Sequence, residues 1–124
     1  MRLYAHNLLA CLKCQAFPLQ LGPECAIAPT GDDYDEDFTR RMLARVDYAI
    51  LQSAYATLQQ QHPALLQSHP IPATFDQIDP RNPEHIQQCF YALSAVAVRN
   101  GTLHCGQCSA TYNIIDYIPV MLPQ

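Results

Sequence analysis

The chain has 124 residues, 49% of them hydrophobic and 15% charged, which is the composition of an ordinary globular protein rather than a disordered or fibrous one. Its net charge is −4, and the seven lysines and arginines are too dispersed to form the basic face of a free-standing nucleic-acid-binding protein. No apolar stretch approaches the roughly 18 residues of a membrane-spanning helix, and the N-terminal segment lacks the cleavage site of a secretory signal. We therefore expect the six cysteines to be reduced thiols or metal ligands.

Helical patterns occupy the middle of the chain. Apolar residues recur every three or four positions over residues 37–61, which predicts one long helix ended by the His-Pro pair at 62–63. A second helix is predicted over residues 82–98, because Asn-Pro-Glu at its start combines a capping residue, a proline and an acid. The Asn-Gly pair at 100–101 is expected to stop this helix or form a turn, and short strands are predicted beyond it.

Two cysteine pairs, each separated by two residues, give the strongest chemical signal in the sequence. This spacing lets both thiolates of a pair face one ion while backbone N–H groups donate to the sulfurs, and four thiolates complete the tetrahedron that Zn²⁺ prefers. Gly106 is expected to permit the tight turn of the second pair, and Lys13 to place a cation beside the thiolates. The alternatives to a shared zinc site are that Cys11 and Cys14 are a chance pair of buried thiols, or that the cysteines form a redox dithiol. The predicted zinc ligands are Cys11, Cys14, Cys105 and Cys108.

Residues 15–104 separate the two cysteine pairs, so a shared metal site requires the two ends of the chain to meet. We therefore expect an α+β fold in which residues 1–30 and 99–124 form a zinc-ribbon-like β lobe and residues 31–98 form an inserted helical lobe. The entropic cost of closing a loop grows only logarithmically with its length, and structural zinc, at roughly 10–16 kcal/mol of apparent binding energy, can offset it.

The sequence shows no catalytic constellation. It has no glycine-rich phosphate loop, no Ser/Cys–His arrangement and no HxE motif beside a cysteine pair. Zinc held by four cysteines has no open coordination position, which favours a structural role and a protein that acts by binding. Cys89 is expected to be a small buried hydrophobe, and Cys25 has no assigned role. His104 is expected to be an exposed strand residue, with a contact behind the neighbouring cysteine ligand as the alternative.

Residues 114–122, Ile-Ile-Asp-Tyr-Ile-Pro-Val-Met-Leu, carry apolar side chains at both odd and even positions, so a single strand here would have two apolar faces. A small lobe has little core with which to cover two apolar faces. Pro119 cannot donate to a ladder, which places it on an edge or at a strand end. An apolar edge strand suits pairing with a partner's strand, so we predict an interaction surface here; a core strand of the β lobe is the alternative.

Several motifs, in this order, resemble a known family. They are His-Asn-Leu-Leu at 6–9, Phe-Pro-Leu at 17–19, Arg-Arg-Met-Leu-Ala-Arg-Val-Asp-Tyr at 40–48, and Asn-Gly-Thr-Leu-His-Cys-Gly-Gln-Cys through Ile-Pro-Val-Met-Leu at 100–122. Across nearly the whole chain they resemble the multifunctional methyltransferase subunit family, small zinc-ribbon activators of eukaryotic and archaeal methyltransferases. The last motif is the most specific. The chain departs from the family at Tyr117, where glycine commonly precedes Ile-Pro.

The resemblance implies a protein without catalytic activity of its own. It would form heterodimers with class I methyltransferases that modify tRNA, small-subunit rRNA or the glutamine of a translation release factor, in the cytoplasm and the nucleus. The partner would bind S-adenosylmethionine and the RNA or release factor, while this chain would cover an apolar surface of the partner and keep it soluble. The alternative function is a stand-alone zinc-ribbon protein that binds nucleic acid directly.

The resemblance also assigns residues. It implies the same four cysteine ligands that the spacing predicts. The expected partner contacts lie before the first cysteine pair and along the C-terminal apolar segment. They are Leu8, Leu9, Ile115, Tyr117, Ile118, Pro119, Val120 and Met121.

Overall fold

The computed structural model describes residues 1–122, in which helices pack against an antiparallel sheet, and the predicted α+β class is confirmed. No helix in this stretch has both the length and the apolar character needed to cross a bilayer. The α-helices are α1 (Leu3–His6), α2 (Glu36–Leu43), α3 (Tyr48–Gln61), α4 (Pro63–Leu66) and α5 (Pro83–Phe90). The strands are β1 (Gln20–Leu21), β2 (Ala26–Pro29), β3 (Val96–His104), β4 (Thr111–Ile115) and β5 (Ile118–Val120).

Strand β3 is the centre of the sheet. Its first half pairs with β2, and its second half pairs with β1 and with β4, all antiparallel. β4 pairs in turn with β5, which ends the strand order β1-β3-β4-β5. The register with β2 slips by one residue, because Ala26 lies opposite Asn100 while Ile27 lies opposite Val98. Arg99 is therefore an extra residue, a bulge, on the β3 side of this ladder.

The predicted long helix over residues 37–61 is wrong in one respect, because residues 44–47 interrupt it and divide it into α2 and α3. Asp47 has extended backbone and caps α3 with its carboxylate, which accepts a hydrogen bond from the N–H of Ile50. The side chain of Asn7 holds this extended residue from both sides: it donates to the carbonyl of Asp47 and accepts from its N–H, both at 2.9 Å. A contact between residues 40 positions apart leaves no trace in helical periodicity.

The second predicted helix begins as expected and ends early. Asn82 caps α5 by accepting a hydrogen bond from the N–H of Glu84 at 3.0 Å. A single π-helical turn, Tyr91–Ala95, follows α5, and the chain then becomes β3. The prediction of helix as far as residue 98 was wrong, because pairing with β2 gives residues 96–98 a strand's hydrogen bonds.

Gly101 lies inside β3, so the predicted helix stop or turn at Asn100-Gly101 was also wrong. The glycine is required by close packing rather than by a turn. A Cβ at this position would lie 2.8 Å from the Sγ of Cys25 and 3.3 Å from its Cα. The buried Cys25 therefore packs directly against the backbone of β3.

The hydrophobic core lies between α3 and the sheet. Leu51, Tyr55 and Leu58 of α3 are fully buried, as are Leu103 and Tyr112 of the sheet. Buried residues from the helices and from the strands belong to one cluster, which includes Cys89, a small buried hydrophobe as expected. The division into a β lobe (1–30 and 99–124) and a helical lobe (31–98) stays a prediction, and its last two residues lie outside the described stretch.

Candidate metal centre and C-terminal hairpin

The two cysteine pairs meet in space. The Sγ atoms of Cys11, Cys14, Cys105 and Cys108, which we call the cysteine cluster, all lie within 4.8 Å of one another. Two of these separations are 3.5 Å, between Cys11 and Cys108 and between Cys14 and Cys105. Each short contact joins one end of the chain to the other, since it links residues 97 or 91 positions apart. The cluster could thus hold a metal ion between the chain ends.

Each cysteine pair sits on a turn that is completed by the residue after its second cysteine. Gln15 and Ser109 occupy these equivalent positions, and both have left-handed backbone, with φ of 63° and 61°. Gly106 does not have positive φ, so the expectation that its freedom permits the turn was wrong. The turn closes through hydrogen bonds instead, because the N–H groups of Gln107 and Cys108 donate to the Sγ of Cys105 at 3.4 and 3.5 Å.

Tyr112 of β4 supports the cluster from the core. Its hydroxyl accepts a hydrogen bond from the N–H of Leu12 at 3.0 Å, and its oxygen lies 3.3 Å from the Sγ of Cys11. Since the oxygen already accepts from the backbone, the hydroxyl proton is free to point at the sulfur and stabilise a thiolate. Sequence reasoning missed this residue, because its contact with Cys11 spans 101 positions and depends on the strand register.

Hydrogen bonds favour ionisation of one cysteine in each pair. The Tyr112 hydroxyl, followed by backbone N–H groups, lowers the pKa of Cys11 to about 6. The N–H groups of Cys108 and Gln107 lower the pKa of Cys105. The N–H of Ala16 favours the Cys14 thiolate, but hydrogen bonding with the neighbouring sulfurs outweighs it and raises the pKa of Cys14 to about 12. A cation bound among these sulfurs would let all four ionise together.

The donor set fits zinc. A tetrahedral Zn²⁺ site with metal–sulfur distances of about 2.3 Å has sulfur–sulfur edges of about 3.8 Å. Two sulfur separations of 3.5 Å and an upper limit of 4.8 Å for the whole set are compatible with that edge length. Two of the cysteines, Cys11 and Cys105, are buried, while Cys14 and Cys108 are exposed in their turns. An ion held by all four would cross-link the two ends of the chain and would have no open coordination position.

His104 does not contact the neighbouring cysteine through its ring. Its Nε2 lies 3.0 Å from the hydroxyl of Thr102, and its Nδ1 lies 3.3 Å from that of Thr111. The residue is half-buried in β3, so it is a strand residue held by two threonines.

The C-terminal hairpin consists of β4, the two turn residues Asp116 and Tyr117, and β5. Ile115 lies opposite Ile118, and Ile114 lies opposite Pro119. Because hydrogen-bonded and non-bonded pairs alternate, and the pair beside a two-residue turn is bonded, Pro119 turns its nitrogen away from β4 and no ladder bond is lost. The apolar residues of 114–122 thus belong to two strands joined by a turn, and not to one strand with two apolar faces.

The outer face of the hairpin exposes two neighbouring isoleucines. Ile115 is 52% exposed and Ile118 is 64% exposed, and their side chains are directly opposite across the ladder. Ile114, one residue earlier, is buried and faces the core. Within residues 1–122, no strand pairs with the other edge of β5. A solvated apolar pair beside an open edge is the arrangement that sheet proteins normally avoid.

The remaining predicted contact residues vary in exposure. Leu8 is 76% exposed just after α1, and the Tyr117 ring is partly exposed at the turn. Leu9 and Met121 are half-buried and pack against the hydrophobic core. Pro119 and Val120 are also half-buried.

The sequence is 32% identical to the multifunctional methyltransferase subunit TRM112-like protein of Bos taurus over 127 residues, which cover 98% of this chain and 94% of that protein. The chain belongs to the family of TRM112-like multifunctional methyltransferase subunits. The family that its motifs resemble is therefore confirmed. No family model matches the chain.

The TRM112-like fold is also recognised in three dimensions. The chain is similar to one in the solved structure of the E. cuniculi Mtq2–Trm112 complex, which is responsible for the methylation of the eRF1 translation termination factor. The TM-score is 0.60 at 16% identity, over 98% of this chain and 95% of that chain. At this identity the match shows the shared fold, which spans nearly the whole of both chains.

Proposed function

We propose that this chain is the non-catalytic partner and activator of S-adenosylmethionine-dependent methyltransferases, and that its cysteine cluster holds one structural zinc ion. The observation that carries the proposal is the exposed Ile115–Ile118 pair beside the open edge of β5, in a chain of the TRM112-like family. An activator needs a surface that is stable only when a partner covers it, and this hairpin has that character.

The partner docks by adding a strand to β5. The open edge offers backbone groups to a neighbouring strand, and the isoleucine pair offers apolar area for the partner's side chains. Pro119 removes no hydrogen bond between β4 and β5, because its nitrogen faces the open edge. At that edge it offers no N–H group, which restricts the register of an added strand. The proposed contact residues are Leu8, Leu9, Ile115, Tyr117, Ile118, Pro119, Val120 and Met121.

This chain would activate the methyltransferase by shifting its folding equilibrium towards the folded form. A subunit that binds the folded catalytic partner and not its unfolded form stabilises the partner by about 2.7 kcal/mol at a concentration 100 times Kd. Covering an apolar face also keeps the partner soluble. The partner binds S-adenosylmethionine and its substrate, and this chain meets tRNA, rRNA or the release factor only through the partner. The proposed sites of action are the nucleus and the cytoplasm.

Affinity capture from the chain's own cells tests the proposal. The tagged wild-type chain should recover methyltransferase catalytic subunits, with about one zinc per chain in the eluate. Ile118→Asp should lose these partners while its zinc content and thermal stability stay unchanged, because a charge buried at an interface without a partner is costly. Leu65→Asp is the matched control, since Leu65 is 58% exposed on α4 and should retain the partners.

Two results would contradict the proposal. Recovery of nucleic acid without any methyltransferase, with binding that weakens steeply as salt rises, would favour the stand-alone nucleic-acid binder. Equal capture by the wild type and by Ile118→Asp would move the docking surface away from β5.

A further inference from the structure

The turn of the C-terminal hairpin is bound to strand β3, which neighbours β4 in the sheet. The N–H of Asp116 donates to the Oδ1 of Asn100 at 3.2 Å. The N–H of Tyr117 donates to the backbone carbonyl of Arg99 at 2.8 Å. Both turn residues are therefore held by two consecutive residues of a strand that is not part of the hairpin.

Both turn residues have a backbone conformation that L-amino acids disfavour. The φ of Asp116 is 48° and that of Tyr117 is 71°. Aspartate tolerates the left-handed region, but for a bulky residue such as tyrosine it is an outlier. Such a turn persists when the surrounding structure over-determines it. The two hydrogen bonds from β3 are contacts of this kind.

The bulge in β3 makes the second of these bonds possible. Arg99 is the extra residue opposite β2, because Asn100 pairs with Ala26 and Val98 pairs with Ile27. An extra residue is left unpaired in its own ladder, so the Arg99 carbonyl can turn to the hairpin and accept from Tyr117. Bulges commonly re-aim backbone groups next to functional sites.

We propose that Asn100 is a positioning residue for the docking strand: with the Arg99 bulge, it holds the left-handed turn and so keeps β5 in the conformation that a methyltransferase edge strand binds. This inference rests on the proposed function. The β3–β4 register pairs Gly101 with Ile114, which places Asn100 on the same face of the sheet as Ile115, so its action through the turn has to be separated from a direct contact with the partner. Asn100 acts through the turn, by raising the fraction of free chains that are ready to bind.

The association rate is the quantity that this role changes. Asn100→Ala should lower the association rate constant for the captured methyltransferase by up to about tenfold, because one lost hydrogen bond shifts the turn equilibrium by that much at most and the rate follows the fraction of chains in the competent conformation. The dissociation rate should stay unchanged, since the bound partner holds β5 in place. Zinc content should also be unchanged. In the free chain, the Tyr117 amide should exchange its hydrogen about three- to tenfold faster.

Two further variants separate positioning from contact. Asn100→Asp keeps an acceptor oxygen for the Asp116 N–H and should restore near wild-type association. Asp116→Gly in the Asn100→Ala background should also restore association, because glycine adopts positive φ without support. A contact residue or a merely structural residue would not be rescued by a glycine at another position.

The outcomes are distinguishable. If the wild-type chain captures no methyltransferase, the proposed function fails and this inference fails with it. If the wild type captures its partner but Asn100→Ala associates at the same rate, or differs only in its dissociation rate, Asn100 does not position β5 and the proposed function stands. Faster Tyr117 exchange with slower association, both reversed by Asp116→Gly, supports the inference.

Discussion

The cysteine cluster and the hydrophobic core around α3 stabilise the fold by different kinds of interaction. Around α3, side chains such as Leu51, Tyr55 and Leu58 are fully buried, so apolar area removed from water stabilises the helix. The cysteine cluster joins two turns through sulfur atoms, and two of its four cysteines are exposed. Burial alone stabilises the first region, whereas the second would depend on the proposed zinc ion. Truncation in the α3 core should therefore leave zinc binding intact, whereas metal removal should act first on the cysteine cluster.

The largest effect is expected at the cysteine cluster. Cys105→Ser removes a buried sulfur of the proposed zinc site that also accepts hydrogen bonds from two N–H groups, so the variant should lose its zinc and much of its folded structure. Metal analysis and circular dichroism, with and without a chelator, measure this. Cys25→Ser is the matched control, because Cys25 is equally buried outside the cluster and should keep about one zinc per chain. A folded, metal-loaded Cys105→Ser would contradict the assignment.

A truncation in the α3 core should have the next largest effect. Leu58→Ala empties a fully buried position and should lower the free energy of unfolding by about 2–5 kcal/mol. Its zinc stoichiometry under native conditions should equal that of the wild type, since α3 supplies no ligand. Urea denaturation with parallel metal analysis checks both values. A loss of zinc from the folded variant would show that the two regions are not independent.

The two regions also differ in how far sequence alone predicts them. The meeting of the four cysteines was predictable, because cysteine pairs of this kind are recognised by residue type and by spacing within each pair. The helix break at 44–47 was not, because Asn7 imposes it on Asp47 from a distant part of the chain. Strand residues 96–98 carry apolar side chains that also fit a helix, and only the pairing with β2 decides between them.

The supporting contacts of the site were hidden for the same reason. Tyr112 reads as an ordinary strand aromatic until the register places its hydroxyl beside Cys11. Asn100 and Gly101 read as a turn, although Gly101 is selected by its packing against Cys25. Sequence reasoning thus finds residues that act through local spacing and misses those that act through tertiary contacts.

Removal of the Tyr112 hydroxyl should weaken the cluster without dismantling it. Tyr112→Phe leaves the N–H of Leu12 and the sulfur of Cys11 without their partner, and zinc affinity should fall about 10–100-fold. Competition with a chromogenic chelator measures the affinity. Tyr55→Phe is the control, because it removes a hydroxyl that donates to the carbonyl of His69, far from the cysteines in sequence. Equal zinc affinity in both variants would remove Tyr112 from the metal centre.

The smallest effect is expected for the surface ion pair between Arg2 and Asp32. Hydrogen bonds from Arg2 and from the hydroxyl of Ser94 lower the pKa of Asp32 to about 2. The carboxylate therefore contributes stability that is present above its unfolded pKa of 3.8 and is lost as the pH falls towards 2. The pair is partly exposed, so Asp32→Asn should cost at most about 1 kcal/mol at neutral pH.

Acid titration of stability in both proteins checks the sign of this contribution. The difference between wild type and Asp32→Asn should shrink as the pH falls from about 4 to about 2. A difference that stays constant across this range would mean that the carboxylate charge does not contribute to stability.

Hydrogen exchange of the captured methyltransferase complex tests the central claim most directly. Comparison of the free chain with the complex should show slower exchange for amides of residues 115–121 and unchanged exchange for α4. Protection of the hairpin would place the partner's strand on β5. Unchanged exchange across residues 115–121, with protection on another face, would contradict the account.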